Sequence, residues 1–320
     1  MARITLAGAA EKLLAADNIL ILCHRYPDGD TIGSAFALCR ALRSLGKKSN
    51  IMCGDLFPPV YSYLYENFEP AEMKEKFVVA VDVADKSMLG LLEKVYSEKV
   101  DLCIDHHGSN SHYAKDWYVD AQSASTGEII WALLPKLGVS ADKYIADALY
   151  TAVSTDTGCF KYGNTTPRSL RTAAKLIDIG ADSKNINTLM FDRMSAARVK
   201  LECAVLSTMR FFCGGRIAAA VLSEKMYEDA GASEGDLEGL SSVPRKVEGV
   251  ICGIFLRETQ GGYKASIRTH APANACEICK KFGGGGHAEA AGAFVKAGSL
   301  DEALDKLVEA AAANIGAENV

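Results

Sequence analysis

NILILCHRYPDGD, residues 18–30, carries four consecutive large aliphatic residues after Asn18, passes through Cys23 and His24, and ends in a short polar turn carrying Asp28 and Asp30. A continuous apolar run of this length, stopped by a turn rich in Pro, Gly and Asp, predicts a strand buried on both faces. The next sixteen residues, TIGSAFALCRALRSLG (31–46), predict a helix that stops at Gly46. A buried strand feeding directly into a helix is the opening unit of a parallel α/β sheet. Three further runs repeat the strand signal: SNIMC (49–53), FVVAVDV (77–83) and KVDLCID (99–105). The expected fold class is therefore α/β, with a doubly wound, mostly parallel sheet in the first part of the chain.

Farther along the chain, Ser125 and Glu128 have the spacing of a capping box ahead of IIWALLPKLG. Thr166-Pro167 predicts another helix start, and Gly180 its end. A further helix is expected through 183–210. The remainder changes character. RIAAAVL (216–222) reads as a strand, GVICGIFLRE and YKASIRTH as a hairpin joined by TQGG, and 272–282 as a short helix running into Gly283-Gly284-Gly285-Gly286-His287. DEALDKLVEAAAA, residues 301–313, closes the pattern as a helix. A second, smaller α/β domain is expected there.

Bulk properties narrow the function class. The chain has 320 residues, enough for two domains, and a net charge of −5, which disfavours a protein that wraps long duplex nucleic acid. A small anionic substrate remains compatible, since a local cluster of cations and arginines can bind it. Most of the ten cysteines sit singly in apolar runs and read as small hydrophobes, and the lone pair Cys276/Cys279 lacks the second pair a four-cysteine zinc site needs. No signal peptide or membrane-spanning run is visible, so a cytoplasmic protein without a membrane partner is expected.

The chemistry lies just past the strands, where ligands bind in open α/β sheets. His24, Asp28 and Asp30 follow the first; Asp82 and Asp85 follow FVVAV; Asp105, His106 and His107 end KVDLCID; Asp156 lies in YTAVSTDTG. So many carboxylates directed at one place would repel one another unless cations neutralised them. Mixed imidazole and carboxylate donors suit manganese, iron, cobalt or zinc, and the number of donors suffices for two ions.

HRYPDGD, VAVDVAD, IDHHGS and STDTG, in that order, resemble the four signature motifs of the DHH phosphoesterase family. GGGGH followed by AEAAG resembles the mark of its DHHA1 domain. The resemblance spans nearly the whole chain and implies a DHH catalytic domain at 1–190, a linker helix at 191–212 and a DHHA1 substrate-binding domain at 213–320. It implies that His24 and Asp28 hold one metal, that Asp30, His106 and Asp156 hold a second, and that Asp82 bridges both, with Mn2+ the expected ion. Asp105 would orient a ligand histidine, and His107 would face the substrate phosphate. Strand alternation places Ser266 and Arg268 on one face of YKASIRTH; with Gly285, Gly286 and His287 they are the expected substrate-binding residues. A chain of this size is similar to the nanoRNase and pAp-phosphatase branch, which acts on short RNA oligonucleotides, dinucleotides or 3′-phosphoadenosine 5′-phosphate. Hydrolysis of cyclic di-AMP or a linear dinucleotide would need the same residues. A non-catalytic nucleotide sensor is the reading from another class, and the full ligand set argues against it. The resemblance also leaves room for a homodimer, for which no residue pattern argues.

Overall fold

The computed structural model describes residues 1–237 and 239–317, which fall into two compact units divided between Arg193 and Met194. In the first unit the elements run β1 (Ala2–Arg3), α1 (Leu6–Ala15), β2 (Ile19–Leu22), α2 (Gly29–Ser44), β3 (Ser49–Met52), α3 (Ser62–Tyr65), β4 (Phe77–Val81), α4 (Glu93–Tyr96), β5 (Leu102–Asp105), β6 (Asp116–Val119), α5 (Thr126–Leu133), α6 (Lys143–Asp156), α7 (Pro167–Ile179) and α8 (Ser183–Asn187). The strands form one sheet in the order β1-β6-β5-β4-β2-β3, and every neighbouring pair is parallel.

The apolar run at 19–22 forms the strand it predicts, and alternation splits its side chains between two cores. Ile19, Ile21 and Cys23 pack with Phe36, Leu38 and Leu149 on one face. Leu20 and Leu22 pack with Val78, Leu89 and Cys103 on the other. Each fully buried aliphatic side chain contributes roughly 1.5–3 kcal/mol. From β2 the chain moves out to β3 at one edge, then returns to β4 on the opposite side of β2. That reversal makes the carboxyl ends of β2 and β4 a topological switch point, where doubly wound sheets bind ligands. α2 and α6 pack against each other there in unusually close register: a side chain at Gly33 would collide with the Ala148 carbonyl.

In the second unit the elements are α9 (Ala196–Ser207), β7 (Arg210–Phe212), β8 (Ile217–Leu222), α10 (Glu224–Ala230), β9 (Cys252–Thr259), β10 (Gly262–Thr269), α11 (Ala275–Lys280), β11 (Gly285–Gly286), β12 (Ala290–Val295) and α12 (Leu300–Asn314). The sheet order is β11-β12-β10-β9-β8-β7. β8 and β9 are parallel, and the other pairs antiparallel. β9 and β10 are the expected hairpin. One sheet face packs on α11 and α12 through Ala265, Ile267, Ile278 and Leu307; the other packs on α9 through Leu201, Val205, Leu222 and Phe255.

Two local expectations need correction. The helix expected through 183–210 is broken: α8 runs into a π-helical turn, Thr188–Asp192, and Arg193 leaves it in extended conformation. Ser195 then starts α9 afresh, its hydroxyl accepting from Arg198 N. At α5, Ser125 does accept from Glu128 N at 3.3 Å, but Glu128 does not complete the capping box. Its carboxylate is drawn instead to Arg168 Nε at 2.9 Å and to Ala124 N at 3.2 Å.

Candidate metal centre

Each donor is placed by the end of an element. His24 lies two residues past β2. Asp28 is the N-cap of α2, its Oδ1 accepting from Asp30 N at 3.1 Å and Thr31 N at 3.2 Å. Asp30 sits in the first turn of α2. Asp82 follows β4 with φ of +60°, a left-handed conformation that aspartate tolerates better than most residues and that concentrates at functional sites. His106 and His107 follow β5, and Asp156 is the last residue of α6.

These residues converge. His24 Nε2 lies 3.5 Å from Asp28 Oδ1 and 3.6 Å from Asp82 Oδ2. His106 Nε2 lies 3.7 Å from Asp30 Oδ2, 3.6 Å from Asp82 Oδ1 and 3.5 Å from Asp156 Oδ2. Two groups of three, His24/Asp28/Asp82 and Asp30/His106/Asp156, each bring one donor atom per residue within 4.8 Å of the others. Asp82 turns Oδ2 toward the first histidine and Oδ1 toward the second.

The imidazoles are oriented for metal binding. His24 Nδ1 is 2.7 Å from Arg25 O, and His106 Nδ1 is 3.3 Å from Ser123 O. A carbonyl can only accept, so Nδ1 carries a proton and each Nε2 edge faces the carboxylates, where a bound cation would take the place of the Nε2 proton. Electrostatics agree. Burial opposes a charged ring at His24, yet Asp28 and Asp82 outweigh it and raise its pKa from 6.5 to about 11. Asp30 is pushed well above the ordinary carboxylate range by burial and by Asp82, Asp156 and Asp28. Burial, with Asp82 and Asp28 adding to it against the opposing pull of His106, lifts Asp156 to about 6. The cluster attracts positive charge, and its nitrogen and oxygen donors suit borderline divalent cations. Asp85 does not join it: its carboxylate accepts from Ser87 N at 2.9 Å and caps the following turn.

In the second unit the expected substrate residues occupy neighbouring rungs of the sheet. Ser266 pairs with Gly292, which pairs with Gly285; Arg268 pairs with Ala290, whose carbonyl accepts from His287 N at 2.8 Å. Ser266 also opens onto a cavity of about 400 Å3 with Lys264, Arg257 and Phe255. Arg268 has its pKa lowered by partial burial and by the neighbouring Arg245; neither guanidinium has an ion-pair partner within 4.0 Å among the described residues. Cys276 and Cys279 are free thiols.

Comparison with known proteins places this geometry in a family. Residues 18–153 match the DHH family, N-terminal domain, and residues 214–314 match the DHHA1 domain. The bifunctional oligoribonuclease and PAP phosphatase NrnA of Thermus thermophilus is 37% identical, over 94% of this chain and 91% of that one. The chain belongs to the DHH family. A protein of the same name from Bacillus subtilis is 25% identical over 90% of this DHH chain and 91% of its own length. An exopolyphosphatase-related protein from Bacteroides fragilis shares the fold, with a TM-score of 0.84 at 24% identity over 95% of each chain.

Around the DHH donors lies a layer of polar residues of which the sequence assigned only Asp105, and the ring that Asp105 holds is His107 rather than one of the candidate metal-ligand histidines. Asp105 has no exposed surface; its Oδ1 accepts from His106 N and His107 Nδ1, both at 2.8 Å, and its Oδ2 from Asn110 Nδ2 at 2.6 Å. The first turn of α5 reaches in from the other side. Thr126 N and Gly127 N donate to the two oxygens of Asp30 at 2.6 and 2.9 Å, and Thr126 Oγ1 lies 3.0 Å from Asp82 Oδ1. In the sequence these residues look like any helix start; the signal that separates them, the carboxylates they face, is tertiary.

Proposed function

We infer that this chain is a two-metal phosphoesterase that hydrolyses short oligoribonucleotides and 3′-phosphoadenosine 5′-phosphate to nucleoside monophosphates. The observation that carries the reading is Asp82, with one carboxylate oxygen toward each of two histidine–aspartate groups. The names of the Thermus and Bacillus relatives, bifunctional oligoribonuclease and PAP phosphatase, supply the substrate class. No helix among the described residues is long and apolar enough to cross a membrane.

We propose Mn2+ as the ion, with His24, Asp28 and Asp82 as one donor set and Asp30, His106, Asp156 and Asp82 as the other. A pair of divalent cations supplies Lewis-acid polarisation of phosphoryl oxygens and a nucleophile available at neutral pH. The residues do the rest. His24 and His106 keep their tautomers through Arg25 O and Ser123 O. Asp105 holds His107 with its Nε2 edge free, so His107 can stabilise charge on a phosphate or give a proton to the leaving oxygen. Arg268 forks onto a second phosphate, and Ser266, Gly285, Gly286 and His287 complete that anchor. In this reading residues 1–190 are the catalytic part, 213–320 the anchoring part and 191–212 the connection.

The test is hydrolysis by the purified chain with Mn2+ of an RNA dinucleotide, a longer RNA, 3′-phosphoadenosine 5′-phosphate and cyclic di-AMP, each repeated with D82A. Turnover of the dinucleotide and the bisphosphate, lost in D82A, is expected. Turnover of cyclic di-AMP alone would replace the substrate assignment. No turnover of any of them would make the chain a binding protein.

A further inference from the structure

Thr126 does more at the start of α5 than its place in the helix requires. Ser125 already caps the helix, and Thr126 N is engaged by Asp30. The Thr126 hydroxyl, fully buried, crosses to Asp82 Oδ1 at 3.0 Å. An ionised carboxylate only accepts, so the hydroxyl donates. Every histidine near Asp82 stands at 3.5 or 3.6 Å from its carboxylate, too far for a strong hydrogen bond. Among the described residues, Thr126 thus makes the one short hydrogen bond to that carboxylate. The torsion it controls is soft, since an aspartate carboxylate turns about a broad sp3–sp2 bond.

We propose that Thr126 is a positioning residue that fixes the rotation of the Asp82 carboxylate, so that one oxygen serves each donor group. This rests on the two-cation reading above. With the hydroxyl bonded to Oδ1, Oδ2 is left toward His24 while Oδ1 keeps its second lone pair toward His106. Gly127 permits the arrangement: a side chain there would lie 2.5 Å from Ala152 Cβ and lift the first turn of α5 off the site. Without the hydroxyl the carboxylate turns freely and a bridging position is occupied only part of the time.

The experiment uses the full chain, stripped with chelator, and titrates Mn2+ by calorimetry for wild type, T126V and T126S, followed by kcat and KM on 3′-phosphoadenosine 5′-phosphate. Partners that orient metal ligands typically contribute 10–100-fold in affinity or activity. T126V, which keeps the shape and removes the hydroxyl, is expected to bind Mn2+ at least about tenfold more weakly, with kcat reduced in step and KM nearly unchanged. T126S is expected to restore both. If T126V does not fold, T126A carries the same expectation without setting a methyl against a carboxylate. Wild-type Mn2+ affinity and kcat in folded T126V or T126A would overturn the proposal alone and leave Thr126 a packing residue. Failure of T126S to rescue would also overturn it. A wild-type chain that binds no Mn2+ would overturn the two-cation reading and this proposal with it.

Discussion

His107 Nδ1 donates to Asp105 Oδ1 at 2.8 Å, and the two residues hold opposite charges against the pull of burial. The Asp105 hydrogen bond, chiefly, raises His107 from 6.5 to about 9. Asp105 is lowered: burial works to raise it, but His107 and Asn110 outweigh that. A raised histidine keeps its cationic form through neutral pH and loses it as pH rises through the folded value. Activity that depends on a charged or proton-donating His107 therefore falls on the alkaline side. A cation near Asp82 opposes protonation and moves that limb down, so it is expected at or below about 9. D105N removes the negative partner and should shift the limb further toward neutrality. A kcat profile flat from pH 7 to 10 would exclude this role.

In the proposed centre, metal and protons would compete for the same carboxylates. Asp30 lies well above its ordinary range and Asp156 near 6. For groups raised in this way, the stability contributed by the protonated form is present at acid pH and is lost as pH rises through the raised values. Mn2+ should take over there. At a concentration 100 times its Kd, a bound ion stabilises by about 2.7 kcal/mol, which for a domain of this size is roughly 5–10 °C in Tm. The shift is expected at pH 7.5, smaller at pH 5, absent with chelator and reduced in D156N. An equal shift at both pH values would contradict it.

Three of the glycines of GGGGH, Gly284 to Gly286, divide into two kinds. A side chain at Gly284 would strike the Gly292 carbonyl, and at Gly286 it would lie 2.6 Å from Ala290 O with φ at +147°. Gly285 meets nothing within 4 Å. G284A and G286A should each destabilise the second unit by about 1–3 kcal/mol, the usual cost of overpacking. G285A should melt like wild type and, if Gly285 belongs to the proposed anchor, raise KM, because the space it fills would belong to the substrate. Unchanged kinetics in G285A would remove Gly285 from the anchor.

Arg168 bridges Glu128 at 2.9 Å and Asp120 at 3.1 Å, and also reaches Ser123. The Glu128 side chain is fully buried, while Arg168 is 46% exposed. Removing one member of a fully buried pair costs about 3–5 kcal/mol, and water on Arg168 reduces that. R168A should lose about 2 kcal/mol, and adding E128Q should return part of it. Chemical denaturation of the four proteins in the cycle measures the coupling.

The convergence of the six candidate donors was legible because it is written in residue type: one aspartate past an aliphatic run is often only a cap, as Asp85 is, but six such histidines and aspartates together have few structural uses. Residues 2–3 and 116–119 carry no such signal. AR and DWYV are too short to announce strands, and they become β1 and β6 only by pairing with each other and with β5. The helix expected through 183–210 failed because its composition favours helix throughout, while the break at Arg193–Ser195 is imposed where one unit gives way to the next. The capping box at Ser125 was half right. Glu128 had a better partner, Arg168, forty residues away.

All six candidate metal donors fall between His24 and Asp156, so they are synthesised before any part of the second unit, which starts at Met194. At 5–20 residues per second, the last donor precedes the end of the chain by roughly 10–30 s. During synthesis, then, the groups that would hold cations are complete well ahead of Arg268 and the glycine-rich loop that would select what is cut.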